Sequence, residues 1–261
     1  WGEGRPLLLL HGGFGSWLHW VRNIGPLADH CRVVAVDLPG LGDSDLLEGP
    51  PDGEAIAAHI VEGLVALPLS EPLTIAAFSL GGAIGAAVAR RVDAYLHRLV
   101  LLGPSGFGEM WQDATADLRR YSRDMSDSER RAVTRYNLAR SMIADESKID
   151  ELAIAIQTML VRDKPRLRGL TISRSEILLS NVAALRDPSK VTIVWGEHDP
   201  YPAEGVQAGA AAIRKRLPQV AIDICKGAGH WVAYEAPAAI NALLLSHVIG
   251  GAGAMRERSE L

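Results

Sequence analysis

The chain predicts an α/β fold in which a mostly parallel sheet is covered by helices on both faces. Short apolar runs recur at Pro6–His11, Arg32–Asp37, Leu73–Phe78, Arg98–Leu102, Val191–Trp195 and Val220–Cys225. They are apolar almost throughout instead of alternating, as strands buried on both faces are. Helical patterns lie between them, at Gly53–Leu67, Leu80–Val92, Glu204–Arg216 and Pro237–Ile249. Strands that alternate with helices favour parallel crossover connections.

Taken in order, the first run opens into His11-Gly12-Gly13-Phe14-Gly15. A loop so rich in glycine lets backbone N–H groups turn toward a ligand. No lysine followed by Ser or Thr completes it as a phosphate-binding loop. His11 reads as a residue that shapes this loop. The second run ends in Asp37-Leu38-Pro39-Gly40-Leu41-Gly42, a tight turn read as structural. The third run stops at Ser79, and a helix of small residues begins at once with Leu80, Gly81, Gly82 and Ala83. A serine held at such a turn projects its hydroxyl clear of both strand and helix. The crowding demands small neighbours two residues away on each side, and these are Ala77 and Gly81.

A serine hydroxyl needs a base within hydrogen-bond reach, and the base needs an orienting acid. The fifth run ends in Gly196-Glu197-His198-Asp199-Pro200, and the sixth is followed by Gly227-Ala228-Gly229-His230-Trp231. Loops after parallel strands meet at one edge of the sheet, where ligands bind. Asp199 and His230 are therefore the expected acid and base, with Glu197 and His198 the other polar groups of that loop. His59, His97 and His247 fall in helical or helix-to-strand contexts and read as background. Acyl transfer also needs two N–H donors for the oxyanion. The expected pair is the N–H of Leu80 and that of Gly13, with Phe14 as the substitute for Gly13. Phe14, Phe78, Trp111 and Trp231 are candidate walls of an apolar pocket, while Trp195, inside a strand, reads as core.

The chain has 261 residues, 48% of them hydrophobic, and a net charge of −4. This supports a well-buried core and offers no basic footprint for nucleic acid. Two cysteines, Cys31 and Cys225, make no disulfide framework, and Cys225 reads as a buried apolar thiol. The sequence shows no metal-ligand cluster and no apolar run long enough to span a membrane. It opens on Trp1 and reaches a strand by Pro6, so the natural chain is expected to begin upstream, with room for a leader or an opening hairpin. A cytoplasmic location is expected. Positions 106–187 break the alternation: no clear strand occurs there. Nearly half of the chain's 27 Lys and Arg and 31 Asp and Glu fall in this third of its length. Helical patterns at Ser128–Met142 and Ser147–Val161 predict a helical cap with charged outer faces. The expected organisation is a core of 1–105 and 188–261 with 106–187 inserted as the cap.

The loop at His11–Gly15, the turn at Asp37–Gly42, Phe78-Ser79-Leu80-Gly81-Gly82, Gly196–Asp199 and Gly229-His230-Trp231 together resemble the α/β-hydrolase superfamily. The resemblance is to its capped branch, similar to carboxylesterases and to the carbon–carbon hydrolases of aromatic meta-cleavage pathways. It implies an α/β-hydrolase fold, no cofactor and a Ser79/Asp199/His230 triad. Dehalogenases and epoxide hydrolases of that branch carry aspartate as nucleophile, so Ser79 favours acyl chemistry. The carbon–carbon hydrolases usually carry an asparagine just before the nucleophile, where this chain has Phe78, and a cap arginine for which Arg174 is the candidate. The function expected is hydrolysis of a small, fairly apolar ester. The alternatives are carbon–carbon hydrolysis of a vinylogous diketone and a ligand-binding relative without turnover.

Overall fold

A computed structural model describes residues 1–250, apart from 50, 51, 70, 113, 116, 163–166 and 168, with the Arg162 side chain also left aside. Six strands form one sheet: β1 (Pro6–Leu10), β2 (Arg32–Val36), β3 (Leu73–Phe78), β4 (Leu96–Leu102), β5 (Val191–Gly196) and β6 (Ala221–Cys225). Their order is β2-β1-β3-β4-β5-β6, and every pairing is parallel. The sequence-predicted α/β class and parallel sheet are those observed.

Alternate residues of each strand serve opposite helix layers, because successive side chains of a strand point to opposite faces. Leu8, Leu10, Ile75 and Ala77 belong to one buried cluster, shared with α2 (Gly53–Val65) and α3 (Leu80–Arg91). Leu7, Leu9, Ala76 and Phe78 belong to the other, shared with α1 (Ile24–Ala28) and the last described helix, Pro237–Ile249. This two-sided burial is why the runs lack polar alternation. The edge strands β2 and β6 are the exceptions, each mostly half-buried, and Cys225 in β6 is half-buried instead of buried as expected.

Local chemistry sets the helix ends. Asp52 caps α2 by accepting from Glu54 N–H. Ser126 and Glu129 form a reciprocal capping box at the start of α4 (Asp127–Ser141). α5 (Glu151–Arg162) packs against α4. Their buried residues Leu138, Ala153, Ile154 and Leu160, with Ile149 from the connection between them, join Trp20 and Trp231 in the second cluster. The short helices α6 (Leu170–Arg174) and α7 (Ile177–Ala183) pack on α3, in the first cluster. α8 (Val206–Arg216) starts two residues later than the sequence pattern suggests, because Gly205 has a left-handed φ of 86°. α9 (Val232–Glu235) and α10 (Pro237–Ile249) complete the chain's described elements. Among the described residues no helix is long and apolar enough to cross a membrane.

The chain leaves β1 toward β2 on one side and returns to β3 on the other. The carboxyl ends of β1 and β3 therefore border the point where strand order reverses, which is the usual crevice for a ligand in such sheets. The His11–Gly15 loop and Ser79 both emerge there.

Candidate active site

Ser79 joins β3 to α3 with φ 53° and ψ −118°, a conformation that costs a non-glycine residue of order 1–3 kcal/mol. The surroundings hold it there. Its N–H donates to Leu102 O at 3.0 Å, and its carbonyl accepts from Gly82 N at 2.8 Å and Ser105 N at 3.1 Å. The glycines of α3 allow the close approach. A Cβ on Gly81 would lie 2.7 Å from Leu10 O, and one on Gly85 would lie 2.7 Å from Ala77 Cβ. No larger side chain fits between helix and strand.

The two remaining polar residues come from the loops after β5 and β6, which are zipped together. His198 N–H donates to Ala228 O at 2.9 Å, and Gly227 N–H donates to a Glu197 carboxylate oxygen at 2.9 Å. Glu197 thus braces the loop, and His198 is exposed. Asp199 and His230 are buried, at 5% and 2% exposure. His230 Nδ1 lies 2.8 Å from Asp199 Oδ2, and His230 Nε2 lies 3.0 Å from Ser79 Oγ. An ionised carboxylate only accepts, so Nδ1 carries the proton and Nε2 is free to accept from the serine hydroxyl. The other carboxylate oxygen of Asp199 accepts from Tyr201 N–H at 3.0 Å. Ser79, Asp199 and His230, distant in sequence, thus form one hydrogen-bonded chain.

Leu80 is the first residue of α3, and the leading N–H groups of a helix have no intrahelical acceptor. The helix dipole adds partial positive charge at that end. Gly13 passes over it: a Cβ on Gly13 would sit 3.7 Å from Leu80 Cβ. Phe14 follows with φ 52° and is 59% exposed. Phe78 is buried, 4.9 Å centroid to centroid from His230. Trp231, next to His230 in sequence, is fully buried, its indole N–H donating to His19 O at 2.9 Å. Trp111 stacks on Tyr201 at 5.4 Å, and Tyr201 lies 4.3 Å from the His230 ring. Trp195 is core, against Phe107.

His11 shapes the loop from inside the protein. Its Nδ1 bonds Gly12 O at 2.8 Å, and its Nε2 accepts from Leu38 N–H at 2.9 Å. Burial lowers its pKa to about 4, so the ring is neutral. His19 accepts from Gly12 N–H through Nδ1, which leaves the proton on a buried Nε2. Burial, then the neighbouring His11 and His230, holds its pKa well below the ordinary value. Asp37 ties the adjacent turn, accepting from Trp17 N–H at 2.7 Å and Asp43 N–H at 2.9 Å. Arg174 is exposed on α6.

Three residues at the site escaped sequence reasoning. Tyr201 sits two residues past Asp199, where an aspartate side chain commonly accepts from the backbone; that spacing was the available signal. Gly103, just past β4 with φ 48°, leaves room for the Asp199–His230 pair: a Cβ there would lie 2.9 Å from both Asp199 Oδ2 and His230 Nδ1. Glu235 is a buried carboxylate in an apolar stretch close behind His230.

The model of the alpha/beta hydrolase family matches residues 7–243. The chain belongs to that family. It is 25% identical, over 96% of its length and 90% of the relative's, to a 2-hydroxy-6-oxononadienedioate/2-hydroxy-6-oxononatrienedioate hydrolase of Comamonas testosteroni. Among solved structures it resembles a meta-cleavage product hydrolase of Pseudomonas fluorescens IP01, with a TM-score of 0.72 and 20% identity, covering 94% of this chain and 91% of that one. An esterase of Rhodococcus sp. ECU1013 superposes with a TM-score of 0.75 at 22% identity, covering 95% and 92%. The relative and the two solved structures named here are hydrolases, and this alpha/beta hydrolase is an enzyme of that kind.

Proposed function

We propose that this hydrolase uses Ser79 as nucleophile on a small, uncharged, fairly apolar carboxylic ester. The observation that carries the reading is the chain Asp199–His230–Ser79, with both links at hydrogen-bond distance. His230 takes the hydroxyl proton as Ser79 Oγ attacks the carbonyl carbon, and Asp199 stabilises the imidazolium. The N–H groups of Leu80 and Gly13 receive the oxyanion. The C–O bond to the alcohol then breaks, and His230 returns the proton to the leaving oxygen. Water, deprotonated by His230, releases the acid from the acyl-enzyme by the reverse sequence. The apolar rings of Phe78, Tyr201 and Trp111 suit an uncharged substrate. No step calls for a cofactor. Within the cap segment 106–187, the α4–α5 pair is the part assigned to shield the site, since its buried residues share the cluster of Trp20 and Trp231, while α7 covers α3.

A second reading, carbon–carbon hydrolysis of a ring-fission dienoate, is favoured by the relatives named above. It uses the same serine and histidine on a vinylogous diketone. Phe78, which can donate no hydrogen bond, and the exposed Arg174 weigh against it. Turnover of a panel of p-nitrophenyl esters, beside loss of absorbance from a ring-fission dienoate, separates the two. Ester kcat/KM well above background with no dienoate loss is expected. Dienoate cleavage with only trace ester turnover would replace the first reading with the second.

A further inference from the structure

Glu235 is a carboxylate with 2% exposure, and burying such a charge is costly unless it is well bonded. Its partners are backbone N–H groups from two separate parts of the chain. Oε2 accepts from Gly229 N at 2.7 Å and Ala144 N at 3.2 Å, and Oε1 accepts from Asp145 N at 2.8 Å. Gly229 immediately precedes His230, while Ala144 and Asp145 lie in the connection from α4 to α5. The two parts also touch directly. Trp231 N–H donates to Met142 O at 2.7 Å, and a Cβ on Gly229 would fall 2.8 Å from Ala144 N.

The far end of the same connection is fastened one residue earlier. Tyr234 O–H donates to Asp150 Oδ1 at 2.6 Å, and that oxygen also caps α5 by accepting from Ala153 N at 2.9 Å. Arg22 pairs with the other Asp150 oxygen and lies over the Tyr234 ring. Consecutive residues of α9 thus grip both ends of residues 144–150.

We infer that Glu235 is a positioning residue that binds the loop of His230 and the α4–α5 connection into one unit. The inference rests on the catalytic reading of His230 given above. Asp199 orients the imidazole ring, and Glu235 holds the backbone that carries it. The charge-assisted bonds are about twice as strong as neutral ones. The seating of α4 and α5 over the site and the placement of the base are then one event. A helix pair free to swing at this end would drag His230 with it.

Glu235→Gln keeps the shape but replaces one accepting oxygen with an NH2 group, which must face an N–H donor. Misplacing a reacting group by about 1 Å costs on the order of 100-fold, so kcat for a p-nitrophenyl ester is expected to fall about 10- to 100-fold. KM stays within about two-fold, and phosphonylation of Ser79 by a fluorophosphonate slows in step with kcat. Asp93→Asn is the control. Asp93 is also buried and accepts from Arg186 N at 3.0 Å, but at the opposite edge of the sheet. It should lower the melting temperature and leave kcat near that of the unaltered enzyme. Glu235→Gln with unaltered kcat, or with a loss no greater than that of Asp93→Asn at equal melting temperature, overturns the inference. Hydrogen exchange on the unaltered enzyme needs no variant to fold. Segments 142–150 and 228–235 are expected to exchange with matched protection, and 142–150 opening alone would contradict it. A native enzyme that neither cleaves ester nor labels at Ser79 would instead overturn the catalytic reading, whatever Glu235 does.

Discussion

Gly103→Ala tests how tightly the hydrogen-bonded Asp199–His230 pair is seated against the sheet. The added Cβ would lie 2.9 Å from Asp199 Oδ2, 2.9 Å from His230 Nδ1 and 3.1 Å from His230 Cε1. Ordinary contact begins near 3.4 Å, so the pair must retreat by about half an ångström. With about 1 Å of misplacement costing on the order of 100-fold, half that shift costs about ten-fold in kcat/KM. The left-handed φ of 48° adds a backbone penalty for alanine of about 1–2 kcal/mol. Gly205→Ala separates the two effects. Gly205 also has a positive φ, 86°, but no atom lies within 4 Å of its Cβ position. That variant should lose stability of order 1–3 kcal/mol and keep its activity. The assays are kcat/KM on a p-nitrophenyl ester and urea unfolding. Gly103→Ala with full activity would mean that the pair moves aside freely, which refutes the reasoning.

Asp199→Asn removes the acceptor that fixes the His230 tautomer and should lower kcat by about 10⁴-fold with little change in KM; an unaltered rate would move the acid role elsewhere. Acid should destabilise the fold through His11. Its folded pKa of about 4 lies below the unfolded value near 6.5, so the unfolded chain binds a proton that the native ring refuses. Stability is full above about pH 6.5 and declines toward about pH 4, by on the order of 3 kcal/mol from this residue. His19, also lowered, adds to the same slope. Urea midpoints across that range check it, and a flat profile, or a slope undiminished in His11→Gln, would contradict it.

Much of this architecture was legible because sheet strands buried on both faces leave an unbroken apolar signature, as in Leu7–Leu10 and Leu73–Phe78. The turn at Ser79 was legible for a steric reason: only Ala77, Gly81 and Gly85 let helix and strand come so close. Asp199 and His230 could be picked out because parallel strands deliver their loops to one edge. β4 begins at Leu96, before the expected Arg98, because His97 and Arg98 are only half-buried and blur the apolar pattern. α6 and α7 escaped notice because they are five and seven residues long and draw their order from packing on α3. Gly103 and Glu235 were illegible for a deeper reason. Gly103 matters because β4 pairs with β5, its N–H reaching Val194 O at 2.8 Å, which sets it beside Asp199. Glu235 matters because residues 144 and 145 fold back onto it, a contact across 90 residues that no local pattern records.

The most direct test of the account is to treat the enzyme with a fluorophosphonate and map the adduct by mass spectrometry. One adduct per chain is expected, on Ser79, with ester hydrolysis lost in proportion, and with both labelling and turnover absent from a folded Ser79→Ala variant. A Ser79→Ala protein that still hydrolyses ester at the normal rate, or an adduct on a different serine, would contradict it.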